Sequence, residues 1–238
     1  MAPADKARRD QLKQFQARQA LHAHHRSRSV RDQWVWTVAA VVAVTVSGLG
    51  LWAYSTIGPG KPATVADASI SEYREWTGEL AFSNATLDIT LDGASAPQAV
   101  ANLVDLNSRA YFDESACHRL TTEGLFVMQC GDPLGLGIGN PGYTFGPIEN
   151  APEDGVYPAG TLAMARAAND ASSMGSQFFI VYEDSEIPDD IVGGYTVFGQ
   201  VTDGLDDFIS AYVEPGTADG SSDGQPAVPT FIESITIR

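Results

Sequence analysis

Three short stretches carry side chains whose types and spacing could do chemistry: His118-Arg119, Phe126-Val127-Met128-Gln129 and Gly175-Ser176-Gln177-Phe178-Phe179-Ile180. In an extended strand alternate side chains share a face, so Gln177 and Phe179 point one way while Phe178 and Ile180 point the other. Val127 and Gln129 share a face by the same parity. A surface made of an arginine, two glutamines and large apolar groups has no nucleophile, no metal-ligand cluster and no carboxylate pair. It suits an extended, partly apolar substrate that changes shape rather than covalent bonds. A proline-containing peptide is such a substrate, because both isomers of an Xaa-Pro bond are accessible and their exchange is slow.

The elements that must position these groups are short. Leu80-Ala81-Phe82 and Ala85–Leu91 flank Ser83-Asn84 as a hairpin, with Leu87, Ile89 and Leu91 alternating against Asp88 and Thr90. The sequon Asn84-Ala85-Thr86 is explained by that turn. Ser95-Ala96-Pro97-Gln98 has the form of a capping box, with a proline tolerated in the first helical turn. Val100, Leu103, Val104 and Asn107 follow at helical spacing. Further strands are expected at 117–121, 126–131, 161–165, 177–182, 195–201 and 231–237, and a second short helix at 203–213. Many short strands, glycine- and proline-bearing loops and two helices predict a closed antiparallel barrel. Gly135-Leu136-Gly137-Ile138-Gly139 is not followed by the Lys-Ser/Thr of a phosphate loop.

Charge divides the 238 residues sharply. Residues 1–31 carry eight basic side chains against Asp5 and Asp10, a net +6, whereas from Gln33 onward six basic residues face 27 acidic ones, a net −21. Between them Trp34 to Ile57 is uncharged over 24 residues. As a helix it would reach about 36 Å, against a bilayer core of about 30 Å, with Trp34, Trp36, Trp52 and Tyr54 near its ends, where such rings prefer the headgroup level. The expected organisation is a basic cytoplasmic tail (1–33), a single transmembrane helix (34–57) in contact with the lipid bilayer, a linker (58–74) and one extracytoplasmic domain (75–238). A cleaved signal peptide is the rival reading, with Ala66-Asp67-Ala68 as a small-residue cleavage site, although the apolar run exceeds the usual length. The basic tail lacks interleaved aromatics, so no nucleic-acid partner is expected. His22, His24 and His25 have no carboxylate or cysteine beside them, so no metal site is expected. Cys117 and Cys130 could bridge in an oxidising compartment, but parity sets Cys117 with Arg119 and Cys130 opposite Gln129, which separates the thiols unless a bulge intervenes.

The order of motifs from about Glu75 to Arg238 resembles a cyclophilin, a peptidyl-prolyl cis-trans isomerase, especially the membrane-anchored bacterial kind. The matching pieces are Phe112-Asp113, His118-Arg119-Leu120, Phe126 to Pro133, Gly160 to Ala165, Gly175 to Ile180 and Tyr195 to Gly199. The resemblance implies a closed eight-stranded barrel with a helix over each open end and a peptide groove on its outer wall. It implies that Arg119 is catalytic, that Phe126, Val127 and Phe179 wall a proline pocket closed by Ile187 or Ile191, and that Gln129 and Gln177 line the groove. Ala165 and Arg166 match the strand whose backbone pairs with substrate, and Tyr195 stands where many members have histidine. Arg166 departs from the usual asparagine, which would alter the groove's charge and shape, and two extra residues enter the loop between Arg119 and Phe126. The implied activity is rotation of Xaa-Pro bonds in exported or envelope proteins, without a cofactor. A non-catalytic proline-peptide-binding chaperone and an envelope scaffold are the competing functions.

Overall fold

The computed structural model describes residues 18–19, 34–55 and 63–238, which fall into two compact units, Met1–Pro62 and Ala63–Arg238. Apart from Arg18 and Gln19, the expected basic tail and its histidine cluster lie outside the described residues, as do 56–62. In the first unit, helix α1 (Trp34–Ser55) runs for 22 residues and is long and apolar enough to cross a membrane.

The second unit is mainly β. Its strands are β1 (Glu75–Phe82), β2 (Ala85–Asp92), β3 (Ser115–Ala116), β4 (Arg119–Thr121), β5 (Val127–Cys130), β6 (Val156–Tyr157), β7 (Thr161–Met164), β8 (Phe178–Val181), β9 (Ser185–Glu186), β10 (Val197–Asp203), β11 (Asp223–Gly224) and β12 (Phe231–Ile237). Helix α2 (Pro97–Asn107) follows β2, and α3 (Leu205–Phe208) continues into a π-helical turn at Ile209–Val213. The β1–β2 hairpin turns at Ser83-Asn84 as its alternation predicts, and Leu87, Ile89 and Leu91 are buried.

The expected closed eight-stranded barrel is corrected. Ten strands form one antiparallel sheet in the order β11-β4-β5-β8-β7-β10-β2-β1-β12-β3, with β6 and β9 paired separately. The sheet curls around its core as a half-barrel and its hydrogen-bonded order is open-ended. Beyond β3 the pairing continues only as an isolated antiparallel bridge from Ala116 to Asp132. The main core joins Leu87, Leu91, Leu120, Met128, Phe178, Ile180 and Phe198 of the sheet to Val100, Leu103 and Leu106 of α2 and Phe208 of α3.

Helix α2 is capped differently from expectation. Its N-cap is Ala96, which has no side-chain acceptor, and Pro97 occupies the first turn. Glu149, far along the chain, accepts hydrogen bonds instead from the N–H groups of Gln98 (3.1 Å) and Ala99 (3.0 Å). Ser95 sits one residue too early to serve, and its own N–H donates to Asp92 Oδ1 at 2.9 Å. The Gln98 side chain turns away to donate to the carbonyl of Ala66 at 2.8 Å. That contact shortens the expected linker: Ala66 and Ser71 are buried, and residues 68–71 form a 3-10 turn capped by Asp67.

Cys117 and Cys130 form a disulfide, against the parity expectation. Parity holds only within one continuous strand, and the ladder breaks at Cys117-His118 between β3 and β4. Cys117 therefore turns into the core with Cys130, while Arg119, two residues on, faces outward.

A carboxylate cap on helix N–H groups that lack an intrahelical partner typically contributes about 0.5–2 kcal/mol. Glu149→Ala should therefore lower the unfolding free energy by about 1 kcal/mol, seen in urea titration as an earlier midpoint with an unchanged slope. Glu149→Gln, which keeps an acceptor, should lose less.

Candidate functional site

Strands β4, β5, β8 and β7 lie side by side, and their register sets Arg119 opposite Gln129, Gln129 opposite Phe179 and Phe179 opposite Ala163. This row lies on the outer face of the sheet. Outward parity also directs Val127 and Val181 to this face, where they are buried in a second apolar cluster with Tyr157, Ala163 and Phe179, and Leu125, Ala165, Ile187, Tyr195 and Val197 packed around. Inward parity sends Met128, Cys130, Phe178 and Ile180 to the main core.

Where this outer cover ends, a cavity of about 90 Å³ opens, lined by Arg119, Leu125, Val127, Gln129, Ala165, Arg166, Phe179, Ile187 and Tyr195. Drug-sized ligands occupy pockets of about 300–1,000 Å³, so this one accepts a single small apolar group. The rings of Phe179 and Tyr195 meet edge-on, 5.5 Å apart. A shallower hollow of about 290 Å³ adjoins it, sharing Gln129, Ala165 and Arg166 and adding Gln177, Ile138, Gly139, Asn140 and Thr144 among its walls.

Two expected site residues, Phe126 and Ile191, lie elsewhere than anticipated. Phe126 does not line the small cavity; parity with outward Val127 turns it inward, where its ring packs edge-on against Tyr182 at 6.0 Å. Leu125, not anticipated, takes its place in the wall. Of the two alternatives Ile187 and Ile191, only Ile187 closes the cavity, since Ile191 is 87% exposed. Gln177, expected in the groove with Gln129, lines the adjoining hollow beside it.

Arg119 is held by a partner that sequence reasoning missed. Its Nε and Nη2 donate to Oδ1 and Oδ2 of Asp223 at 2.7 and 2.8 Å. Asp223 is brought there by β11, which pairs with β4. No periodicity marks a two-residue strand in a Ser-Ser-Asp-Gly loop, so the sequence offered no signal for it. The remaining donor, Nη1, reaches Gln129 Oε1 at 3.4 Å. Gln129 Nε2 then donates to Gln177 Oε1 at 2.8 Å, and Gln177 Nε2 to the carbonyl of Gly139 at 2.8 Å. The chain of donors runs one way, which fixes both amide orientations. The hydrogen bond to Asp223 raises the Arg119 pKa further, and the Arg119 guanidinium holds Asp223 below the usual carboxylate range.

Arg166 does not add free charge to the groove, contrary to expectation. Its side chain is 1% exposed. Nη1 donates to Asp190 at 2.7 Å and to the carbonyl of Ala167 at 3.1 Å, Nε to Gly194 at 2.9 Å and Nη2 to Gly193 at 2.5 Å. The guanidinium also lies over the Tyr195 ring, 4.6 Å from its centre. Arg166 thus clasps the segment 190–195 to the cavity wall. Asp190 accepts further bonds from the N–H groups of Asn169 and Val192, and these with Arg166 hold its carboxyl well below the usual range.

Two further groups shape the margins. Asp132 is buried and accepts N–H groups from Leu134, Leu136, Gly137 and Ile138 at 2.8, 3.0, 2.5 and 3.1 Å. The glycine-rich loop therefore turns its amides inward onto the protein's own carboxylate, which is why it does not form an anion cradle. His118 is half-buried, with burial lowering its pKa and Nδ1 lacking a partner. The Tyr182 hydroxyl donates to the carbonyl of Thr121 at 2.6 Å, and burial pushes its pKa up to about 12.

Residues 79–236 match the family described as cyclophilin type peptidyl-prolyl cis-trans isomerase/CLD. A Mycobacterium leprae protein named "Probable peptidyl-prolyl cis-trans isomerase B" is 36% identical over 191 residues, covering 75% of this chain and 59% of its own length. The Mycobacterium tuberculosis protein of that name is 40% identical over 163 residues, covering 63% of this chain and 51% of its own. This chain thus spans between half and three fifths of those two relatives. Among solved structures, a Cryptosporidium parvum cyclophilin type peptidyl-prolyl cis-trans isomerase superposes with a TM-score of 0.58 at 25% identity, covering 69% of this chain and 98% of that one. The same protein in the presence of the dipeptide Ala-Pro gives 0.57 at 26%, covering 68% and 98%.

The depressed pKa of Asp190 carries a sign. Its ionised form is favoured in the fold, so its stabilisation is fully present above the ordinary carboxylate pKa of about 4 and is lost only as pH falls through the lower folded value. Asp190→Asn should be less stable than the parent at pH 7 in chemical denaturation, and the gap should narrow only below about pH 4.

Proposed function

The chain belongs to the cyclophilin-type peptidyl-prolyl cis-trans isomerase family, and from that premise we propose that residues 75–238 accelerate rotation about Xaa-Pro bonds in polypeptides. The observation that carries this reading is a guanidinium donor at the rim of a small apolar cavity, braced from its far side by Asp223.

The chemistry asks for no covalent step. The amide barrier of about 18–20 kcal/mol comes from C–N double-bond character. Twisting the bond localises the lone pair on the prolyl nitrogen and makes it an acceptor. A donor that meets the twisted form better than either planar form lowers the barrier, whereas equal binding would not. Asp223 occupies Nε and Nη2, so Nη1, with only its long contact to Gln129, is the least engaged donor and the one assigned to that nitrogen. Val127, Phe179, Leu125 and Ile187 would hold the pyrrolidine ring, with Tyr195 closing the side. Gln129 would anchor the substrate carbonyl. The N–H of Ala165 already donates to the carbonyl of Gln177 at 2.9 Å, so a substrate strand is assigned to the main chain of Arg166. Asp223 acts as a positioning residue.

We place this domain outside a membrane. Helix α1 would reach about 33 Å at 1.5 Å per residue, enough for a bilayer core of about 30 Å. The excess of Lys and Arg in residues 1–31 favours a cytoplasmic amino terminus. The clients would then be exported or envelope polypeptides. The expected result is that the chain stays with membranes after carbonate extraction and that external protease digests residues 63–238. Recovery of a shortened chain in the soluble fraction would mark a cleaved signal sequence instead.

Arg119→Ala should lower kcat/KM on an Xaa-Pro tetrapeptide by about 10²–10³-fold, the usual cost of one preorganised donor, and unchanged turnover would sink the assignment. Asp223→Asn should lower kcat by about tenfold while KM holds, because the cation is loosened rather than removed. Arg119 loses its charge only above its ordinary range and Asp223 only below its own. The pair therefore predicts a flat kcat/KM between about pH 5 and 9. Peptide binding without accelerated isomer exchange would select the non-catalytic chaperone.

A further inference from the structure

We propose that the loop Pro133–Gly139 is a second contact surface of this domain, one that takes an extended, uncharged apolar segment of an unfolded polypeptide. Leu134, Leu136 and Ile138 are 62%, 68% and 73% exposed. Three large aliphatic side chains so exposed within seven residues are an unusual concentration on a water-facing surface, and such groupings mark interaction sites.

The loop is built to keep them there. The buried Asp132 carboxylate gathers the N–H groups of Leu134, Leu136, Gly137 and Ile138, so the backbone is braced from below. Gly135 and Gly137 sit at φ +63° and +80°, left-handed values that a side chain would strain. The loop therefore alternates glycines that turn the chain with aliphatic residues that face water.

Charge and continuity identify the occupant. From Pro133 to Pro147 there is no acidic or basic residue, within a region that is otherwise strongly acidic. No cation is present in that stretch to draw an anionic bilayer, and the surrounding acidic groups would repel one. Ile138 and Gly139 also line the hollow that adjoins the small cavity through Gln129, Ala165 and Arg166. A chain leaving the cavity along that hollow meets Ile138, which belongs to the same braced loop as Leu136 and Leu134. The surface would thus hold apolar client segments at a distance from any proline, a chaperone-like activity separable from isomerisation. It rests on the reading of the groove as a polypeptide site, but the binding probe that decides it contains no proline.

The test is the whole chain in phosphatidylcholine nanodiscs, with and without the double substitution Leu134→Ser/Leu136→Ser. The probe is a fluorescein-labelled, proline-free leucine–serine peptide followed by anisotropy. The expected result is at least a fivefold loss of affinity in the double variant, restored by Leu134→Met/Leu136→Met. Turnover of a short Xaa-Pro tetrapeptide should be unchanged, which also shows that the variant is folded. Equal affinity of parent and serine variant for the peptide overturns the proposal. So does loss of binding to free phosphatidylcholine vesicles with peptide affinity intact, which would make the loop a lipid contact. Absence of tetrapeptide turnover in the parent would sink the isomerase reading alone and leave the peptide titration to decide this one.

Discussion

Strands β5 and β8 must be apolar on both faces, and the groove exists because of how the outer face is covered. Met128, Cys130, Phe178 and Ile180 fill the main core, while Val127, Phe179 and Val181 point outward and are still buried. An outward Phe or Val left in water would forfeit roughly 1.5–3 kcal/mol of burial. Tyr157, Ile187, Tyr195 and Val197 supply the cover, and the small cavity is the place where that cover stops short. The candidate site is thus the unfilled margin of a second, smaller core, with walls set by packing on both sides.

The charges near this margin are matched before any ligand arrives. Arg119 is taken by Asp223 and Arg166 by Asp190. The two pairs differ in consequence. Arg166 is enclosed, so its bonds to Asp190 and to the carbonyls of Ala167, Gly193 and Gly194 serve to fix a loop. Arg119 and Asp223 are about half exposed, so their attraction is screened and adds little stability. What the bidentate geometry adds is orientation, since it fixes the plane of the guanidinium and directs Nη1 toward Gln129.

Much of this was legible where side-chain period and strand continuity coincide. The alternation in Gln177–Ile180 correctly separates groove from core, and the hairpin at Ser83-Asn84 follows from the flanking alternation. Reading failed where continuity breaks or partners come from afar. The break at Cys117-His118 reversed parity and let the cysteines meet. Phe126 was assigned to the cavity by resemblance, although its neighbour Val127 already faced outward and parity could have turned it inward. Ile187 and Ile191 lie in a loop with no period, so only coordinates separate them. Asp223 and Glu149 act on residues 104 and about 50 positions away, and local pattern holds no trace of such pairings. Closure of the sheet also escaped local reading, because it depends on which strands pair across the whole chain.

The disulfide between Cys117 and Cys130 turns the intervening segment into a ring closed at its base, spanning a sequence separation of 13. Tying the ends of a loop near that size removes about 3 kcal/mol of freedom from the unfolded chain in the entropic account. The register of Arg119 against Gln129 is held from that base by a covalent bond as well as by the ladder, while at the other end the N–H of Thr122 donates to the carbonyl of Ser222 beside Asp223. The covalent staple thereby backs, from the core side, the strand pair that presents Arg119 and Gln129 on the outer face.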